Sequence, residues 1–336
     1  MLVLLVVLAL GAGTWWWWQG RRTTYETALA SLPAETLRAS YTDWSAVAEK
    51  VRTDDLADFV EQAYDEDLSR LSALESNGVA LDEHFGLDLR DAEWEAYGQS
   101  SEGSVAVLAP GDDADLEELA DTLASLGYEE PGGGAQAWAV SDGTLAGIDP
   151  TLTPVLLNVV VLEDERLLVF SDSAEYAESA AAVTGGEGES LLPGVDDLAA
   201  RGDDPVSAVL WAADYACEDL SMSSADESDQ ARARSLVEEA GGVSPLDGLL
   251  MAKDSAGDVR VALRFESDDQ ASDNLQPRTD LAAGEAPGLG GTFPERFTIR
   301  SGTSDGRLVV LELEAVPDAP PLLSSISDGP VLFATC

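Results

Sequence analysis

Residue types able to do covalent or metal chemistry are few in this 336-residue chain: two cysteines, Cys217 and Cys336, and a single histidine, His84. An even cysteine pair reads as a disulfide in an oxidising compartment. It would close a loop of about 119 residues and, in the chain-entropy account, contribute roughly 4–5 kcal/mol. Two unrelated thiols are the alternative. A lone histidine forbids two-histidine mechanisms, and zinc would have to use carboxylates or the distant cysteines. His84, in Asp82-Glu83-His84-Phe85-Gly86, reads as structural.

Gly302-Thr303-Ser304-Asp305-Gly306 matches the G-x-S-x-G pattern of a nucleophile elbow. That elbow needs a strand before the serine, a helix after it and a histidine downstream. Here strand patterns flank both sides and no histidine follows, so the segment reads as a hairpin turn. A phosphate-cradling loop needs Gly-Lys-Ser/Thr, whereas Lys50 follows Glu49 and Lys253 follows Ala252. The acidic runs Asp65-Glu66-Asp67, Asp112-Asp113-Asp115, Asp226-Glu227-Asp229 and Asp268-Asp269 lack the full spacing of a calcium loop. They read mostly as solvated helix N-termini, where carboxylates oppose the helix dipole. No catalytic, cofactor-binding or metal-ligating residue is assigned, and no cofactor is implied. Weak divalent-cation binding stays open.

Acidic side chains number 64 against 18 basic ones, for a formal charge of −46, while 45% of the chain is hydrophobic. Such a surface repels phosphate backbones, which bind chiefly through lysine and arginine, so nucleic acid is excluded as a partner. Apolar content near the globular average argues against a disordered polymer.

The elements that must carry these residues begin with an uncharged stretch, 1–18. At ~1.5 Å per residue it makes about 27 Å of helix, close to the hydrocarbon thickness of a bilayer. The expectation is a transmembrane anchor over 1–20. Trp15, Trp16, Trp17 and Trp18 would sit at the lipid–water interface, and Arg21 and Arg22 beyond it. A juxtamembrane segment, 21–35, follows.

Beyond it the pattern repeats, which predicts a first α+β unit over 36–184, a Gly- and Asp-rich linker over 185–204 and a second unit over 205–336. Asp115, with Glu118 three residues on and Gly127 at the end, delimits a helix whose Leu116, Leu119, Leu123 and Leu126 share one side. Another helix begins near Ser173. Val259, Val261, Leu263 and Phe265 alternate with period two and share a buried strand face. Asp268 to Leu281 patterns as a helix that Pro277 should bend or interrupt. The fold class expected is α+β: a transmembrane helix followed by two tandem repeats, each an antiparallel sheet covered by helices.

The stretches Leu32-Pro33-Ala34-Glu35-Thr36 and Tyr41-Thr42-Asp43-Trp44, with Ser327-Asp328-Gly329-Pro330-Val331-Leu332-Phe333-Ala334-Thr335-Cys336, resemble uncharacterised exported actinobacterial proteins with one N-terminal membrane segment. The resemblance implies location and architecture, and no catalytic residue comes with it. The function expected is that of a single-pass cell-membrane protein. Most of the chain would lie outside the cytoplasm as a non-enzymatic acidic domain that binds another envelope protein. The alternative is an envelope hydrolase using paired carboxylates in a groove between the repeats.

Overall fold

The computed structural model describes residues 22–132 and 136–336. Six strands precede residue 200: Arg38–Thr42 (β1), Trp94–Ser100 (β2), Gly103–Ala109 (β3), Trp138–Ala139 (β4), Asn158–Leu162 (β5) and Leu167–Ser171 (β6). Five follow it: Ser207–Ala212 (β7), Gly248–Lys253 (β8), Val259–Arg264 (β9), Phe297–Asp305 (β10) and Leu308–Ala315 (β11). They form one sheet in the order β10-β11-β9-β8-β7-β1-β2-β3-β6-β5-β4, and its neighbours are antiparallel.

This corrects the expected fold class. The two halves do not build separate sheets: β1 pairs with β7, from Arg38 opposite Trp211 to Thr42 opposite Ser207. Each first strand would otherwise present a row of unpaired amides at a sheet edge, and joining them removes both edges. Outward from that seam the strand orders are alike, β1-β2-β3-β6-β5 on one side and β7-β8-β9-β11-β10 on the other. The transmembrane part of the expectation is also corrected: among the described residues no helix is long and apolar enough to cross a membrane. The segment 1–20, with Trp15 to Trp18, lies outside the described residues.

The helices are Thr24–Ala30 (α1), Trp44–Lys50 (α2), Leu56–Asp65 (α3), Gly78–Phe85 (α4), Leu116–Leu126 (α5), Asp142–Ile148 (α6), Ala174–Thr184 (α7), Leu192–Ala199 (α8), Tyr215–Asp219 (α9), Glu227–Glu239 (α10), Asp268–Ala282 (α11) and Leu322–Ser327 (α12). Local chemistry sets their ends. Asp115 accepts from the Glu118 amide and Gly127 closes α5 in the left-handed conformation, φ +92°. Ser173 caps α7 through the Tyr176 amide. Helix α11 runs on through Pro277, so the expected interruption does not occur. Its buried Asn274, Arg278 and Leu281 fasten it on both sides of the proline.

Sheet alternation sorts the core onto two faces. The front face carries Ala39, Tyr41, Val105, Val107, Val169, Ala208 and Leu210, packed under α1, α7 and α8. The back face is divided between two clusters. In the first half Trp44, Phe59, Leu81 and Leu123 cover Ala106, Leu108 and Phe170. In the second, Leu281, Phe293, Phe333, Leu323 and Ile326 cover Val209, Met251, Val261, Leu263 and Leu311. Residues 185–204, read as a linker, contain α8, and its Leu192, Val195 and Leu198 are buried. Likewise α1, inside 21–35, buries Tyr25, Ala28 and Leu29.

Candidate functional site

The front face is finished differently in the two halves. After β6, the Ser173 cap turns the chain into α7, whose Tyr176, Ala177, Ala180 and Ala181 lie on the sheet over β3, β6 and β5. After β11 the chain goes the other way. Helix α12 buries Leu322, Leu323 and Ile326 in the back-face core. On the front, α8 reaches as far as β9, where its Gly194 carbonyl and Asp197 carboxylate accept from Arg264, and among the described residues no helix packs on the front of β11 and β10.

Alternation places Arg260, Ala262 and Arg264 of β9 on this front, opposite the back-facing Val259, Val261 and Leu263. Arginine stems lie across the small apolar floor of Ala262, Leu308 and Val310, which stays buried. Their guanidinium groups form a lattice with carboxylates. Arg300 reaches Asp258 at 2.5 Å and Glu314 at 3.0 Å, and Arg201 reaches Asp305 at 2.5 Å. Arg260 is held by Glu312 at 2.7 Å and also by Asp203. Arg264 and Arg307 share Asp197, at 2.8 and 3.1 Å, and both also approach Asp247. Five arginines thus meet seven carboxylates, and both signs reach solvent: Asp203 is 71% exposed, Asp305 67% and Arg300 53%. Burial pushes the Asp258 carboxyl up, opposed by the Arg300 guanidinium beside it.

The seam between the halves is filled. Lys253 donates to the Glu66 and Asp67 carbonyls at 2.7 and 3.1 Å and lies 3.7 Å from the Asp67 carboxylate. Asp67 in turn accepts from the Leu323 amide at 2.8 Å, linking β8, the loop after α3 and α12. Burial pushes the Lys253 amine down, although the Asp67 charge raises it. Cross-strand register sets Thr42, Ser207 and Lys253 side by side next to that pair. The buried hydroxyls of Thr42, Ser207 and Ser69 have no protein partner. A pair of carboxylates opening into a groove, as the hydrolase alternative needs, is not what occupies this place.

Two further buried charges anchor the back-face helices. Glu95 accepts from Ala73 N at 2.7 Å, Ser72 Oγ at 2.6 Å and Trp44 Nε1 at 3.2 Å. Burial pushes its carboxyl up even so. Arg278 donates to the carbonyls of Phe333, Thr335 and Ser244, and burial pushes it down.

The residues singled out from sequence do not converge. Cys217 and Cys336 are bonded, with Cα atoms 5.4 Å apart, beside an open pocket of about 340 Å³ lined by Met222, Ala233, Arg234 and Val237. His84, near the end of α4, faces Asp149 at 3.6 Å in the other half of the back layer from that pocket. Gly302 to Asp305 belong to β10, and Gly306 makes the turn into β11 at φ +57°. Asp115 and Asp226 are helix caps in solvent. Asp67 departs from that pattern, being 3% exposed at φ +58°. Among the described residues no group of three or more His, Cys, Asp or Glu side chains is placed to hold a metal. Sequence reasoning missed the arginine lattice. Its one local trace is Arg260 and Arg264 standing at the polar phase of an otherwise apolar strand.

No family model matches the chain, and neither does any curated protein. Two solved structures, crystal forms I and III of TP0453, are similar in fold at TM-scores of 0.41 and 0.40. Their sequence identities are 9% and 7%; the matches cover 89% of this chain and 96% and 97% of those.

Proposed function

We propose that this chain is an acidic extracytoplasmic interaction module of the cell envelope, which binds another envelope protein and transforms no substrate. The observation that carries the reading is the front of β11 and β10, a strand surface over which no helix of the described residues packs and where seven carboxylates meet five arginines. Carboxylates outnumber arginines there, so the surface complements a basic partner and steers its approach. The Cys217–Cys336 bond supports an oxidising compartment. The formal charge of −46 disfavours polyanionic partners.

Site-specific photo-cross-linking in cells tests this. Probes at the exposed Thr298 and Thr303 are expected to give a discrete adduct that weakens when salt is raised, and a probe at Asp121 on α5 is expected to give none. Equal labelling from both positions, or no adduct from the front, would sink the reading.

A further inference from the structure

The two ends of the sheet differ as much as its two front faces. At one end β4 has only two residues, and Glu129 already bridges to Ala139. At the other end β10 has nine residues, and among the described residues nothing pairs with its outer edge. Proteins usually guard such an edge with outward charge, proline or a bulge. Strand β10 does have a bulge, between Ile299 and Ser301. The charged residues on either side of the stretch beyond it are turned away: Arg300 is tied inward by Asp258 and Glu314, and Asp305 by Arg201. Ser301-Gly302-Thr303-Ser304 is left uncharged, with small side chains and an open backbone edge.

The front flank of that stretch carries carboxylates. On the front stand Glu314, Asp258 and Asp305. On the back, α11 passes beneath β10, where a Cβ added at Gly302 would lie 3.1 Å from Thr279 Oγ1. We infer that residues 301–305 of β10 form a strand-addition site for an extended basic segment of a partner, with lysine or arginine at alternate positions. Main-chain hydrogen bonds would supply the fit, and the front-face carboxylates, met by the alternate side chains on that face, the selectivity. A second copy of this chain is a poor occupant, because it would bring two bodies of −46 edge to edge. This inference rests on the proposed binding role of the front face and specifies how the partner enters it.

The probe is the peptide acetyl-(Lys-Thr)4-amide, compared with two charge-matched versions N-methylated at one or the other alternate set of amides. The unmodified peptide is expected to bind the disulfide-bonded protein and to slow amide hydrogen exchange at residues 301–305. One methylated version should bind at least about tenfold more weakly, since it loses the main-chain bonds. Equal affinity of all three peptides, or binding that leaves exchange at 301–305 unchanged, overturns the edge proposal and leaves the front-face reading standing. No binding by any of them overturns the proposal and also removes the charge complementarity used for that reading.

Discussion

The halves share a strand order and differ in what finishes them. In the first, α7 closes the front face with a helix of small residues, and the buried anion Glu95 gathers N–H and O–H donors on the back. In the second, arginine stems and ion pairs stand where that helix would be, and the buried cation Arg278 gathers carbonyl acceptors. The lesson is that a sheet face can be sealed by dry packing or by long amphipathic side chains, and only the second leaves a charged surface for a partner.

The largest test of this contrast removes the bond found only in the second half. Replacing Cys217 and Cys336 with serine is expected to lower unfolding free energy by roughly 4–5 kcal/mol. Urea titration reads that loss, and hydrogen exchange should rise more in β8 and β9 than in β2 and β3. Equal rises in both halves would mean that the whole sheet opens as one unit. Next comes the strap across the seam. Asp67→Ala leaves Lys253 without its buried carboxylate, at a cost of about 3–5 kcal/mol. Calorimetry should then resolve two transitions, and a single sharp one would show that β1–β7 pairing alone couples the halves.

A smaller effect probes the first half alone. Glu95→Gln keeps the shape but turns an amide group toward donors, costing about 1–3 kcal/mol. Burial raises the Glu95 carboxyl above its ordinary 4.5 in the folded state, so folding retains a proton that the unfolded chain has released. The stability this group supplies therefore falls as pH rises from that value through the folded one. Glutamine has no such loss, so the deficit of the variant should be greater at about pH 5 than at about pH 8. A deficit that grows with pH would refute the assignment. The smallest effect belongs to the lattice. Arg300→Ala should change stability by only about 0–1 kcal/mol, because the arginine is itself more than half exposed. Its consequence should appear instead in the salt dependence of partner binding. A loss above about 2 kcal/mol would mean that the lattice works as core.

Much of the local structure was legible. The Asp115 and Gly127 boundaries of α5, the Ser173 start of α7 and the period-two burial of β9 are written within a few residues of where they act. Pro277 misled, because buried neighbours on both sides of it outweigh one missing hydrogen bond. Asp67 looked like one more solvated acid, since nothing beside it in the chain announces Leu323 or Lys253. The arginine lattice was hidden for the same reason: Arg201 and Asp305, or Arg264 and Asp197, become neighbours only across the folded sheet.

By itself the sequence determined the charge, the scarcity of chemically active side chains, and the helices and strands whose periodicity and caps are local. Tertiary structure alone decided that β1 and β7 join two sheets into one, that α12 goes to the back, and that no helix of the described residues packs on the front of β11 and β10. The physical reason is range. Caps and hydrophobic periods act over a turn or two, whereas strand partnership, and the burial of a charge such as Asp67, depend on surfaces contributed by segments far apart in the chain.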